Sequence, residues 1–125
     1  GDKFFLESVV PELEGNSCLE QLRLFVRYYA QINLETGLDI VKVLFNPDNE
    51  WFRQTRPMQN VLEGIIRRGQ ASGELRPDDE PGRLVDYFFD MLRGICYNWC
   101  VYDGGFDLEE RMAGSVALLF KGLGA

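Results

Sequence analysis

The sequence predicts an all-α domain of about six antiparallel helices, the last two forming a four-helix bundle across a two-fold dimer. Three observations carry that expectation. Apolar residues recur at helical spacing through most of the chain. Capping residues, glycine stops and proline breaks punctuate the pattern between those segments. The one run with a strand-like composition, LDIVKVLF at 38–45, has no second strand to pair with and reads as a short helix.

The elements follow in order. Asp2 is placed to cap a first helix whose apolar positions are Phe5, Leu6, Val9, Val10 and Leu13. Gly15 and Asn16 close it. Ser17 and Glu20 make an S-x-x-E capping box for a longer helix with the inward stripe Cys18, Leu22, Phe25, Val26, Tyr29 and Ile32, stopped at Gly37. After the short helix, Asn46-Pro47-Asp48 breaks the chain and offers Asp48 as a new cap. From Thr55 to Ser72 the pattern is clearest: Met58, Val61, Leu62, Ile65, Ile66 and Gly69 share one face, while Gln59, Asn60, Glu63, Arg67 and Gln70 take the other.

The next stretch, RRGQASGELRPDDEP at 67–81, reads as a helix-to-helix corner. Gly73 suits the left-handed stop, Leu75 folds back over the helix end, and Pro77 prevents continuation. Asp78 or Asp79 is expected to cap the following helix, with Glu80 and Pro81 in its first turn. That helix, about 79–102, carries one narrow polar stripe of Arg83, Asp86, Asp90, Arg93 and Tyr97 and is apolar elsewhere, so it must be covered on more than one side. Gly104-Gly105 turns the chain, and Asp107 with Glu110 starts a last helix running to about Lys121. Its stripe is Met112, Val116, Leu119, Phe120 and Leu123, with Ala113, Gly114 and Ala117 alongside, small enough for close helix approach. Surplus apolar surface on these two helices predicts a homodimer through Phe89, Leu92, Cys96, Trp99, Met112, Val116, Leu119 and Phe120.

Composition bounds the function. The 125 residues suit one domain, 1–125, and the net charge of −7 repels a phosphate backbone. No apolar run approaches the roughly 20 residues that span a bilayer. The opening Gly1-Asp2-Lys3 lacks the pattern of a signal peptide, so a cytoplasmic location without membrane contact is expected. Three cysteines, an odd number, do not suggest a disulfide scaffold. There is no histidine, the commonest metal ligand and general base, and no catalytic, metal or cofactor constellation emerges. The chain is not expected to be an enzyme. Cys96 and Cys100, at i and i+4, read as buried small hydrophobes. Asp86 and Asp90 read as a solvated face balanced by Arg83 and Arg93, not as a catalytic pair.

Two segments carry a resemblance. VLEGIIRRGQASGELRPDDEPGRLVDYFFDMLRGICYNW resembles the ligand-binding and dimerisation domain of tetracycline-repressor-type (TetR family) transcriptional regulators. In those proteins a helix ending in a G-x-x-x-G-x-L-R-x-D-like corner leads into the first of two dimerisation helices. GDKFFLESVV resembles the segment that begins the helix after the DNA-reading helix of that family. The two matches bracket the chain. The resemblance implies that operator DNA is read only by an N-terminal helix-turn-helix outside this chain, under control of a small organic effector. It also implies an effector pocket among Phe25, Tyr29, Phe45, Trp51, Phe52, Leu62, Ile65, Tyr87, Phe88 and Met91. The alternative is a stand-alone helical dimerisation or protein-interaction module without a ligand.

Overall fold

The computed structural model describes residues 2–45 and 56–124, with the side chains of residues 2–6 and 8 left out. Its described residues form six α-helices: α1 (Asp2–Leu13), α2 (Cys18–Thr36), α3 (Leu38–Leu44), α4 (Arg56–Ser72), α5 (Pro81–Val101) and α6 (Leu108–Leu123). The fold is all-α. Helix α2 is the axis: it packs most extensively along α6, and α1, α3 and α4 pack on its other sides. Helix α5 lies against α4, α6 and α3.

The helix ends follow local chemistry. Ser17 and Glu20 make both bonds of the capping box, Glu20 N donating to Ser17 Oγ at 3.2 Å and Ser17 N donating to Glu20 Oε2 at 3.3 Å. Gly37, at φ 92°, ends α2 and begins α3, a conformation that a Cβ would resist. Asp107 Oδ1 accepts from Glu110 N at 3.0 Å and starts α6.

Inside, Val9 and Leu13 of α1, Cys18 to Ala30 of the α2 stripe, and Met58, Leu62, Ile65 and Ile66 of α4 are buried. Val10, expected inward, is exposed, because α1 buries the i, i+4 pair Val9 and Leu13 instead. Phe5 and Leu6 lie outside the described side chains, and Asn46, Pro47 and Asp48 lie outside the described residues. Gly69 allows the closest approach in the core: a Cβ there would sit 2.5 Å from Cys18 Sγ and 2.9 Å from Leu75 Cδ1.

The corner at 73–80 is built of short bonds. Gly73 sits at φ 85°, and Leu75 N donates to Gly69 O at 3.0 Å, closing the end of α4 over a fully buried Leu75 side chain. The cap of α5 differs from expectation. Glu80, not Asp78 or Asp79, is the N-cap, its carboxylate accepting from Gly82 N at 3.0 Å and Arg83 N at 2.9 Å. Pro81 at the first helical position fixes this register, because it has no N–H to satisfy there. The corner also reaches two distant elements. Glu74 Oε1 accepts from Cys18 N at the start of α2, 3.0 Å away, and Arg76 N donates to Leu123 O at the end of α6.

Candidate functional site

The face shared by α2 and α5 holds the largest rings of the core. Phe89 stands edge-on to Phe25 at 6.1 Å and to Tyr29 at 5.9 Å, the geometry that ring quadrupoles favour. One turn further along α5, the Arg93 guanidinium lies 5.4 Å over the Phe89 ring and hydrogen-bonds the Tyr29 hydroxyl. Burial pushes the Tyr29 hydroxyl far above its ordinary pKa, the neighbouring Cys96 adds to the rise, and Arg93 opposes it. Tyr29 is therefore a neutral hydrogen-bonding group over the whole physiological range.

Asn33, one turn beyond Tyr29 on α2, is the buried polar residue of this core, 1% exposed. Its Nδ2 donates to the Tyr29 carbonyl at 2.9 Å, while Oδ1 has no hydrogen-bond partner among the described residues. A buried acceptor left without a donor costs about 1–3 kcal/mol. Asn33 is polar by type, so hydrophobicity alone does not mark it as interior. The signal was positional: Asn33 falls at i+4 from Tyr29, inside the apolar stripe of α2.

The residues assigned to a pocket divide into four groups. Phe25, Leu62, Ile65 and Phe88 are packed at no more than 1% exposure, and Tyr29 sits with them at 4%. Phe45 and Met91 are partly buried against the core, with the Phe45 ring 5.9 Å from Tyr97. Tyr87 does not line the interior: it is half exposed, and its hydroxyl accepts from Arg83 Nε at 2.8 Å. Its place on α5 falls beside Arg83 and Asp86 on the outer face. Trp51 and Phe52 lie outside the described residues. Four clefts lined by described residues draw on none of these side chains; they sit at the α1–α2 turn, between α4 and α5, and along the outer side of the α5–α6 turn and α6.

The interface assignment changes more. Phe89, Leu92, Cys96, Trp99, Met112 and Val116 lie in the core of the single chain, each at most 6% exposed, and Leu119 and Phe120 are partly buried against it. The surplus apolar surface of α5 is covered by α3, α4, α6 and the rings of α2, all from the same chain. What remains outside is a different set: Tyr87, Gly94, Tyr97 and Val101 on α5, and Asp107, Glu110, Arg111, Gly114, Leu118 and Lys121 on α6. Gly94 and Gly114 are both exposed in mid-helix, and a Cβ at either would touch nothing within 4 Å.

The charged groups are also redistributed. Arg83 turns to Tyr87 and Arg93 to Tyr29, while Asp86 and Asp90 stay exposed. Lys42 of α3 pairs with Asp103 in the α5–α6 turn, holding that carboxyl below its ordinary pKa. All three thiols are free; burial pushes Cys18 up to about 11 and Cys96 up to about 12, and raises Cys100 as well. Thiols of that kind are protonated at neutral pH. Among the described residues, no cluster of three Cys, Asp or Glu could hold a metal, and no helix is long and apolar enough to cross a membrane.

The chain matches no protein-family model, no curated protein and no solved structure.

Proposed function

We propose that the chain is the effector-binding and dimerisation domain of a transcriptional regulator similar to the tetracycline-repressor type. The observation that carries the reading is Asn33: a buried amide whose Oδ1 is unused among the described residues, one turn from Tyr29, in an otherwise apolar ring-lined core. Small-molecule sites are mostly apolar with a few such polar anchors. The effector is an organic molecule, apolar over most of its surface, that donates an N–H or O–H to Asn33 Oδ1. Its binding favours one arrangement of two subunits. In the intact regulator that preference changes the spacing of DNA-reading domains outside this chain, provided the two arrangements bind the effector unequally.

The test is thermal shift with a panel of small aromatic alcohols, phenols and indoles, each paired with its O- or N-methylated analogue. Donor compounds raise the unfolding temperature, their methylated analogues do not, and Asn33→Leu removes the difference. Equal shifts from both members of the pairs would remove Asn33 as the anchor. A flat response across the panel from a chain that still dimerises favours the second reading, a helical dimerisation module without a ligand. The close packing of Phe25, Leu62, Ile65 and Phe88 supports that alternative.

A further inference from the structure

The outer face of α6 has features that its own fold does not use. Asp107, Glu110, Arg111, Gly114, Leu118 and Lys121 are all exposed and fall within about 100° of arc around the helix. Leu118 is 71% exposed. It forms one end of a shallow groove of about 410 Å³ that Phe106, Glu110, Arg111 and Gly114 also line, with the Arg111 guanidinium stacked 3.7 Å over the Phe106 ring. Glycine is among the poorest helix formers, and no described residue crowds Gly114 in a way that would exclude alanine.

Knob, groove and glycine fit together if the occupant is a second copy of this chain. A two-fold interface brings one surface patch against itself, so a patch with both a knob and a groove can satisfy its own requirements. Charge complementarity fixes the direction. Asp107 and Lys121 each lie seven residues from Gly114, and Glu110 and Leu118 each lie four. An antiparallel pair crossing at Gly114 therefore sets the acidic first turn of each helix against Lys121 of the second copy. It also sets Leu118 over the stem of Glu110 and into the groove beside Arg111. A parallel pair would place acid on acid at one end and Lys121 on Lys121 at the other. Antiparallel pairing aligns the helix dipoles favourably as well.

We infer that α6 pairs with α6 of a second copy, antiparallel and crossing at Gly114, with Leu118 of each copy seated in the other's groove. The inference rests on the dimerisation part of the proposed function and adds the register to it. Residue 114 then lies on the two-fold axis, close to its own copy, whereas the two Leu118 positions are separated by about 12 Å along the helices.

Two measurements test it, on the full chain carrying Cys100→Ser to remove its partly buried thiol. Under mild oxidation Gly114→Cys forms a covalent dimer rapidly, because positions on the axis fall within disulfide range. Leu118→Cys, although 71% exposed in the single chain, does not. In sedimentation, Gly114→Gln raises the dimer dissociation constant by about tenfold or more while the unfolding temperature of the monomer stays level or rises. Equal or faster cross-linking through position 118, or unchanged dimerisation of the Gly114→Gln chain, overturns the register and leaves a dimer of another geometry. A parent chain that stays monomeric at micromolar concentration overturns the register and the dimer reading together. An effector-induced thermal shift is read separately and does not depend on any of these outcomes.

Discussion

The corner at 73–80 and the α2–α5 seam do the same job, fixing one helix against another, by opposite means. The corner is mostly exposed and is held by backbone geometry and short polar bonds: Gly73 at positive φ, Leu75 N to Gly69 O, and the Glu80 cap. The seam is buried and held by rings packed edge to face, with two polar imperfections, the Tyr29–Arg93 bond and the unpartnered Asn33 oxygen. Apart from the buried Leu75, the corner therefore tolerates changes of side-chain bulk but not of backbone preference. The seam tolerates neither holes nor new polar groups.

The largest expected effect lies in the seam. Phe89→Ala removes the ring that meets both Phe25 and Tyr29 and is 2% exposed, and should cost about 3–5 kcal/mol in denaturant unfolding. A loss below about 1 kcal/mol would mean that the seam collapses freely and is not a rigid core.

Next comes the corner. Gly73→Val forces a β-branched residue to φ 85° and should cost about 1 kcal/mol or more, although a Cβ there would meet nothing within 4 Å. Thermal unfolding checks this; a neutral result would show that α4 can end in another way.

Asn33→Leu sharpens the contrast from the other side. It substitutes an apolar side chain of similar size for the orphaned acceptor, so the ligand-free protein should be unchanged or more stable by up to about 1 kcal/mol. A loss above about 2 kcal/mol would reveal a donor to Oδ1 and remove the anchor from the proposed site.

The smallest effect is at the Glu80 cap. Bonds from Gly82 N and Arg83 N hold the Glu80 carboxyl below its ordinary pKa. Its contribution is present above the unfolded carboxylate range and is lost as pH falls through the lowered folded value. Glu80→Ala should therefore lower the unfolding temperature slightly at neutral pH, with the gap closing in acid. A gap independent of pH would mean that the carboxylate charge contributes nothing to the cap.

Much of the fold was legible because it is local. The Ser17–Glu20 box, the stops at Gly37 and Gly73, the cap at Asp107 and the inward stripe of α4 all depend on residues within a turn or two of one another. The cap of α5 was misplaced by one or two residues because Asp78, Asp79 and Glu80 are chemically equivalent candidates, and only the backbone path decides among them. The candidate site was less legible. Its polar anchor, Asn33, hides in an apolar stripe, and the partner of Arg93 lies across the fold on α2, not on its own helix. The outer face was misread for a related reason. Hydrophobicity marks which residues of α5 and α6 want cover, but not whether the same chain supplies it.

By itself the sequence determined the helical class, most of the boundaries and the corner, since each follows from backbone propensities and capping within a few residues. Tertiary structure alone decided which apolar face of α5 became core, which glycines stayed open at the surface, and that Arg93 of α5 reaches Tyr29 of α2. Those outcomes depend on where α2, α3, α4 and α6 lie around α5, and helix packing is set by the sum of many contacts between residues far apart in the chain.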